Sequence, residues 1–313
     1  MTAWTAVDIP DLRGRVLIVT GANSGIGLET TRELARSGAA VVMACRSKDR
    51  GETARAELLE SSAHPRFGAE QLDLTVLELD LTQPESIKDF VAQFTGRFQQ
   101  LDVLINNAGV MACPPSLTSE GVERQWASNH LGHFALTGLL LPQITDGPGR
   151  VVSVSSLAAG GGDLSGPIPT NLDDYSRFQV YSDTKLANQV FAVELNHRLA
   201  AAGHTAISVA AHPGVTHTNL AASASVPLLT PVLLRLSRVL TQPATVGALP
   251  TLRAATDPAV EGGQYYGPSG RNQHRGRPKQ IPLISGASRR SLGRTLWTES
   301  MELTGVRYLI GEQ

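Results

Sequence analysis

The chain has almost no cysteine: two in 313 residues, Cys45 and Cys113. They fall in different expected elements, so they make no metal pair, and such sparse usage points to a reducing compartment. No run approaches the ~18 apolar residues of a membrane span. Met1 to Arg15 carries acids and no apolar stretch of the secretory kind, so no signal peptide is legible. Surplus charge is missing too. A net charge of -1 gives no general case for nucleic acid or an anionic membrane surface. Repeats and low-complexity segments are absent. What remains, 42% hydrophobic and 18% charged residues, describes a globular protein with material for a sizeable core, expected to be cytoplasmic.

Short apolar runs alternate with helical patterns along the chain. Val16–Thr20, Ala39–Ala44, Leu74–Leu79, Leu101–Ile105, Val151–Val154, Ile207–Ala211 and Gln264–Tyr266 read as strands. Between them lie helical stretches such as Pro84–Phe98, Thr118–Leu141 and Phe178–Ala200. Strands apolar on both faces and separated by helices of ten or more residues predict a parallel sheet covered on each side. The expected fold is a single α/β domain of Rossmann type, doubly wound around seven parallel strands. Within it a dinucleotide-binding core would span about 12–215. Substrate segments would lie near 160–177 and 217–240, and a terminal strand and tail would fill 241–313.

Two features carry chemistry. The first strand ends in Gly21-Ala22-Asn23-Ser24-Gly25-Ile26-Gly27 and runs into a helical pattern. Glycines there let the backbone approach a pyrophosphate, while the helix start presents free N–H groups. Farther on, Tyr181 and Lys185 stand four apart on an expected helix and so share a face. An adjacent ammonium favours the phenolate. Moving a tyrosine pKa from about 10 to about 7 takes roughly 4 kcal/mol, more than one lysine commonly supplies. A second positive charge or a desolvated site is therefore expected beside the pair.

Together with Asn106-Asn107-Ala108-Gly109 after the fourth strand and Ser155-Ser156 after the fifth, these motifs resemble the short-chain dehydrogenase/reductase family. The likeness runs from about Leu12 to Tyr266. Asn129-His130-Leu131-Gly132-His133-Phe134 and Ala44-Cys45-Arg46 look most like the retinol-dehydrogenase and WW-domain-oxidoreductase branch, although no WW domain is present. The resemblance implies Tyr181 as general acid/base and Lys185 as the group that lowers its pKa and holds the nicotinamide ribose. It further implies Ser156 as hydrogen-bond donor to the substrate oxygen, and Asn129 as a helix kink holding a relay water. Oxidised nicotinamide would supply the missing positive charge. Ser155 and Tyr175 are the rivals of Ser156 and Tyr181. Four residues after Tyr175 stands Gln179 rather than a cation, which leaves Tyr175 unsupported.

In the same way the resemblance assigns cofactor contacts to Gly21, Asn23, Ser24, Gly25, Ile26, Gly27, Asp80, Leu81, Asn107, Ala108, Gly109, Tyr181 and Lys185. It adds Pro213, Gly214, Val215 and Thr216, which would close over the nicotinamide. An acid commonly ends the second strand in NAD enzymes and a cation in NADP enzymes. Here no acid stands in Val41–Cys45 and Arg46 follows directly, which predicts NADP(H) over NAD(H). The 160–177 insertion and the apolar 217–240 stretch would form a substrate pocket for a hydrophobic alcohol or carbonyl. The family pairs copies through the helices near 118–141 and 178–200, so a homodimer or homotetramer is expected. Two other readings fit the motifs less well: a dinucleotide-binding scaffold, which would not need all four site residues, and an epimerase or dehydratase. No metal is expected, because His130 and His133 lack a companion ligand set. Arg271, His274, Arg275, Arg277 and Lys279 read as a solvated basic loop.

Overall fold

The computed structural model describes residues 4–61, 66, 71–216 and 242–310. Strands β1 (Val16–Thr20), β2 (Ala40–Cys45), β3 (Asp73–Glu78), β4 (Val103–Asn106), β5 (Arg150–Val154), β6 (Ile207–Ala211) and β7 (Tyr265–Pro268) pair in parallel, in the order 3-2-1-4-5-6-7. The expected seven strands are one too few. An eighth, β8 (Pro278–Ile281), closes a hairpin and pairs antiparallel with β7. It is short, begins with proline and exposes Lys279 and Gln280, devices that protect an edge strand and hide its apolar signature.

Alternation along each strand divides the core between the two sheet faces. In β1, Leu17 and Val19 pack into one cluster with Leu34 of α1 (Gly25–Arg36) and Leu58 of α2 (Lys48–Glu60). Ile18 packs into the other, with Phe90 of α3 (Pro84–Thr95) and Phe191 of the long central helix. Each fully buried side chain of this size contributes about 1.5–3 kcal/mol.

The helix expected from Thr118 starts later. Residues 117–123 form a turn, with Thr118 N–H donating to the Val122 carbonyl at 2.8 Å. Glu123 caps α4 (Arg124–Trp126), accepting from Trp126 N–H at 2.9 Å. A π-helical turn (Ala127–Leu131) joins α4 to α5 (Gly132–Thr145).

Helix α6 (Arg177–Ala201) follows β5, and both α5 and α6 are buried on nearly every side. After β6, α7 (Ala244–Gly247) and α8 (Leu249–Thr256) lead to β7. The reason for the burial of α5 and α6 is α9 (Arg290–Thr304) and the tail behind it. Trp297 sits between Phe191, stacked on it at 6.0 Å between ring centroids, and Tyr308, tilted against it at 4.4 Å. Glu194 of α6 accepts from Arg198 at 2.8 Å and from Arg290 at 3.3 Å. A Cβ at Gly138 of α5 would come within 2.6 Å of the Tyr308 ring, so the tail crosses there at close range. The helices expected to pair two copies are therefore covered by their own chain. Among the described residues no helix is long and apolar enough to cross a membrane.

Candidate active site

Strand order reverses between β1 and β4, so the loops at their carboxyl ends diverge and open a crevice. A cleft of about 600 Å³ lies there. Its floor is the β1–α1 turn. Gly21 and Gly25 have φ of 66° and 55°, a left-handed backbone that favours glycine. A Cβ at Gly27 would strike the Gly21 carbonyl and approach Asn107 Nδ2 to 2.6 Å. Ser24 makes no side-chain cap and the first turn of α1 holds no acid, so its N–H groups face the cleft uncommitted. This cradle fits a pyrophosphate.

Thr20, just before the cradle, fixes the neighbouring turn. Its Oγ1 accepts from the Asn107 and Ala108 amides, both at 2.9 Å, and its carbonyl accepts from Asn107 Nδ2 at 2.7 Å. His133 orients that hydroxyl. Its Nδ1 lies 3.0 Å from the Asn129 carbonyl, which only accepts, so Nδ1 carries the proton and Nε2 receives the Thr20 hydroxyl at 2.9 Å. Burial pushes the His133 pKa down to about 3. His130 is buried as well, 2.9 Å from Ser300 Oγ, and is pushed down to about 4. Both rings serve packing and hydrogen bonding within the fold.

The far wall carries the Tyr181 pair. Lys185 Nζ lies 5.9 Å from the Tyr181 ring centroid and donates to the Val154 carbonyl at 3.1 Å. Burial lowers its pKa to about 8. Burial likewise raises Tyr181, against which a hydrogen bond with Ser156 acts in the opposite sense. The resting site is thus desolvated, and the protein alone does not bring the phenol into the neutral range.

Both serines line the cleft but bond different partners. Ser155 is 2% exposed and donates to the Lys185 carbonyl at 2.7 Å. Ser156 hydrogen-bonds Tyr181, and its oxygen accepts from Ala158 N–H at 3.2 Å. Tyr175 is held elsewhere, donating to the Cys113 carbonyl at 2.9 Å.

Every expected cofactor residue from Gly21 to Thr216 lines this one cleft, as do Ser156, Tyr181 and Lys185. Asn129 does not. It sits behind the wall in the π turn, wholly buried, where Oδ1 accepts from Val110 N–H at 2.8 Å. Its Nδ2 donates to the Val110 carbonyl and to Thr184 Oγ1, at 2.9 and 3.0 Å. Gly109 fills the space between: a Cβ there would lie 3.2 Å from Asn129 Oδ1 and 3.3 Å from Lys185 Nζ.

Sequence reasoning missed several participants. Arg50 and Arg124 join Arg46 in the cleft lining, and none of the three forms an ion pair among the described residues. Arg50 lies in the first turn of α2, four residues past Arg46, and that closeness was the available signal. The Pro213–Thr216 segment is pinned by groups with no such signal. His212, pushed down to about 4 by burial, accepts from Gly214 N–H at 3.1 Å and hydrogen-bonds Gln273 at 3.0 Å. The His274 carbonyl accepts from Val215 N–H at 2.8 Å, and Gln242 donates to the Pro213 carbonyl at 2.7 Å. The basic loop exposes its cations but buttresses this segment with its backbone, and Lys279 belongs to β8. The 217–240 segment, with His217, lies outside the described residues.

The family model for short chain dehydrogenase matches residues 15–227. The chain belongs to the short-chain dehydrogenase family. Membership makes it an NAD(P)-dependent oxidoreductase on a fold that binds a nicotinamide dinucleotide. The dehydrogenase is 38% identical over 307 residues to Retinol dehydrogenase 12 of Homo sapiens, covering 97% of this chain and 90% of the relative. It is 37% identical over 305 residues to Retinol dehydrogenase 14 of Homo sapiens, covering 94% and 88%. An uncharacterized protein from Mycobacterium paratuberculosis, known by its crystal structure, superposes with TM-score 0.77 at 39% identity over 98% of this chain and 99% of that one. A 3-ketoacyl-(acyl-carrier-protein) reductase from Brucella melitensis complexed with NADH shares the fold, with TM-score 0.60 at 21% identity over 81% and 96%.

Proposed function

We propose that the dehydrogenase interconverts a hydrophobic alcohol and its carbonyl with NADP(H). The observation that carries this reading is the buried Tyr181 hydroxyl, hydrogen-bonded with Ser156 and one helical turn from Lys185, in the same cleft as the glycine cradle. When bound, the dinucleotide supplies or accepts the hydride. In reduction, the Tyr181 hydroxyl gives its proton to the carbonyl oxygen while the carbonyl carbon receives hydride. In oxidation, the same oxygen takes the alcohol proton back. Ser156, beside the Tyr181 hydroxyl, turns its proton to the substrate oxygen when substrate binds and holds the carbonyl against Tyr181. Lys185 biases Tyr181 toward phenolate and is fixed by the Val154 carbonyl, while Gly109 leaves room beside its Nζ. Asn129 maintains that geometry by clamping Val110; the relay water assigned to it rests on the family resemblance.

Cofactor choice rests on Arg46 and Arg50. Arg46 follows the end of β2 and Arg50 stands in the first turn of α2; neither forms an ion pair among the described residues, and β2 carries no carboxylate, an arrangement suited to a phosphorylated ribose. The hydrophobic substrate is supported by Met111 and Phe178 in the cleft lining and by the named activities of the retinol dehydrogenase relatives. A panel of apolar alcohols and aldehydes, followed by nicotinamide absorbance with NADPH and then NADH, tests the reading. Turnover of apolar members with NADPH preferred supports it. Preference for NADH would overturn the cofactor assignment, and no turnover with either would overturn the activity.

A further inference from the structure

Tyr175 and Gln125 take no part in the proton chemistry, yet they form a buried polar junction beside the cleft. Gln125 is wholly buried and spends its amide on three segments. Its Oε1 accepts from Ala112 N–H at 2.8 Å, and its Nε2 donates to Tyr175 Oη at 2.8 Å and to the Arg177 carbonyl at 3.0 Å. Tyr175 completes the junction by donating to the Cys113 carbonyl at 2.9 Å. One amide and one phenol thus tie the loop after β4 and the end of the 160–177 insertion, with the start of α6, to helix α4.

The loop needs such a tie. Ala112 is a non-glycine residue at φ 50°, a left-handed backbone that persists only when its surroundings hold it. Asn129, one turn after Gln125, clamps Val110 through both its amide and its carbonyl. Met111 is therefore fixed on both sides by side-chain amides from one helical face. Met111 lines the cleft. So do Arg124, adjacent to Gln125, and Phe178, adjacent to Arg177. Ala112, Gln125 and Arg177, the three residues joined by the Gln125 amide, thus each adjoin a residue of the cleft wall.

We infer that Gln125 and Tyr175 are positioning residues that set the Met111–Phe178 wall and so determine how long an apolar substrate the enzyme holds. This rests on the alcohol–carbonyl reading of the site. The brace touches neither the glycine cradle nor the Tyr181 hydroxyl. Its loss should therefore alter the fit of the substrate body while leaving cofactor binding and the chemical step in place. Burial and the nearby Glu123 carboxylate push the Tyr175 pKa up to about 12, which suits a phenol serving as a fixed donor.

The test compares wild type, Tyr175→Phe and Gln125→Met on straight-chain aldehydes of short, medium and long chain, with NADPH. Loss of one buried hydrogen bond should raise KM for the longest aldehyde about tenfold. kcat, KM for the shortest aldehyde and NADPH affinity should stay within about twofold. An equal loss across all chain lengths, or no change at any length, would overturn the assignment. Because the wild type must turn over some aldehyde for this readout, amide hydrogen exchange of residues 110–113 in the full chain provides a second. Exchange about tenfold faster in both variants supports the brace, and unchanged exchange overturns it whether or not turnover is seen. If wild type and variants alike turn over no aldehyde while exchange accelerates, the brace stands and the reading of the reaction falls.

Discussion

The two ends of the cleft are built on opposite plans. At the Tyr181 end nearly every polar group is buried and committed. Lys185 is held by the Val154 carbonyl, Asn129 by three hydrogen bonds to Val110 and Thr184, and Ser155 by the main chain of α6. At the Arg46 end the cations are exposed and make no ion pair among the described residues. The contrast follows from the work each end would do. Moving a proton requires atoms held within a few tenths of an ångström in a desolvated site, so the fold fixes them from behind. Selecting a phosphate requires charge on a strand end, which a substitution there can change without disturbing the core.

Tyr181→Phe should have the largest effect. The hydroxyl is the proposed proton donor, so kcat should fall about a thousandfold while NADPH affinity stays within about twofold, as read by turnover and fluorescence titration. Gly109→Ala should come next. Its Cβ would press on Asn129 Oδ1 and Lys185 Nζ from 3.2 and 3.3 Å, and the displacement should lower kcat by about ten- to a hundredfold. Both variants would break the contrast if they weakened cofactor binding as much as turnover.

At the other end, Arg46→Asp should raise the Kd of NADPH by about ten- to a hundredfold, improve NADH, and leave kcat with saturating cofactor nearly unchanged. A drop in kcat equal to the loss of affinity would show the two ends to be one unit.

The smallest effects concern the buried histidines behind the cleft. His130, His133 and His212 have folded pKa values of about 4, 3 and 4, below the 6.5 of the free ring. The unfolded chain therefore binds protons first as pH falls through 6.5, and stability is lost down to the folded values. Between pH 7 and 5.5 each should contribute a loss of about 1 kcal/mol, measurable by urea unfolding. Unchanged stability over that interval would show that these rings are not held neutral.

Much of this was legible in the sequence wherever the signal is local. The strand β1, the glycines and Ser24 after it, and the Tyr181–Lys185 spacing each announce themselves within a few residues. Ser155 and Ser156 are adjacent in sequence yet bond different groups, the Lys185 carbonyl and Tyr181. Edge and turn features were harder. β8 is too short and polar to show an apolar run, and residues 117–123 carry a helix-like pattern that the Leu117–Glu123 bridge overrides. Groups that act across long separations left no sequence trace. Gln125 meets Arg177, and His212 meets Gln273, only because the sheet brings their loops together. The cover that α9 lays over α5 and α6 is of this kind as well.

One measurement bears most directly on the claim that this cleft couples hydride transfer to a Tyr181 proton. NADPH deuterated at its hydride position would be incubated with an apolar aldehyde, and the product alcohol examined by mass spectrometry for wild type and Tyr181→Phe. The account predicts one deuterium on the carbinol carbon for each cofactor oxidised by wild type, and about a thousandfold less labelled alcohol from Tyr181→Phe. Unlabelled alcohol from wild type, or equal labelling by the two proteins, would contradict it.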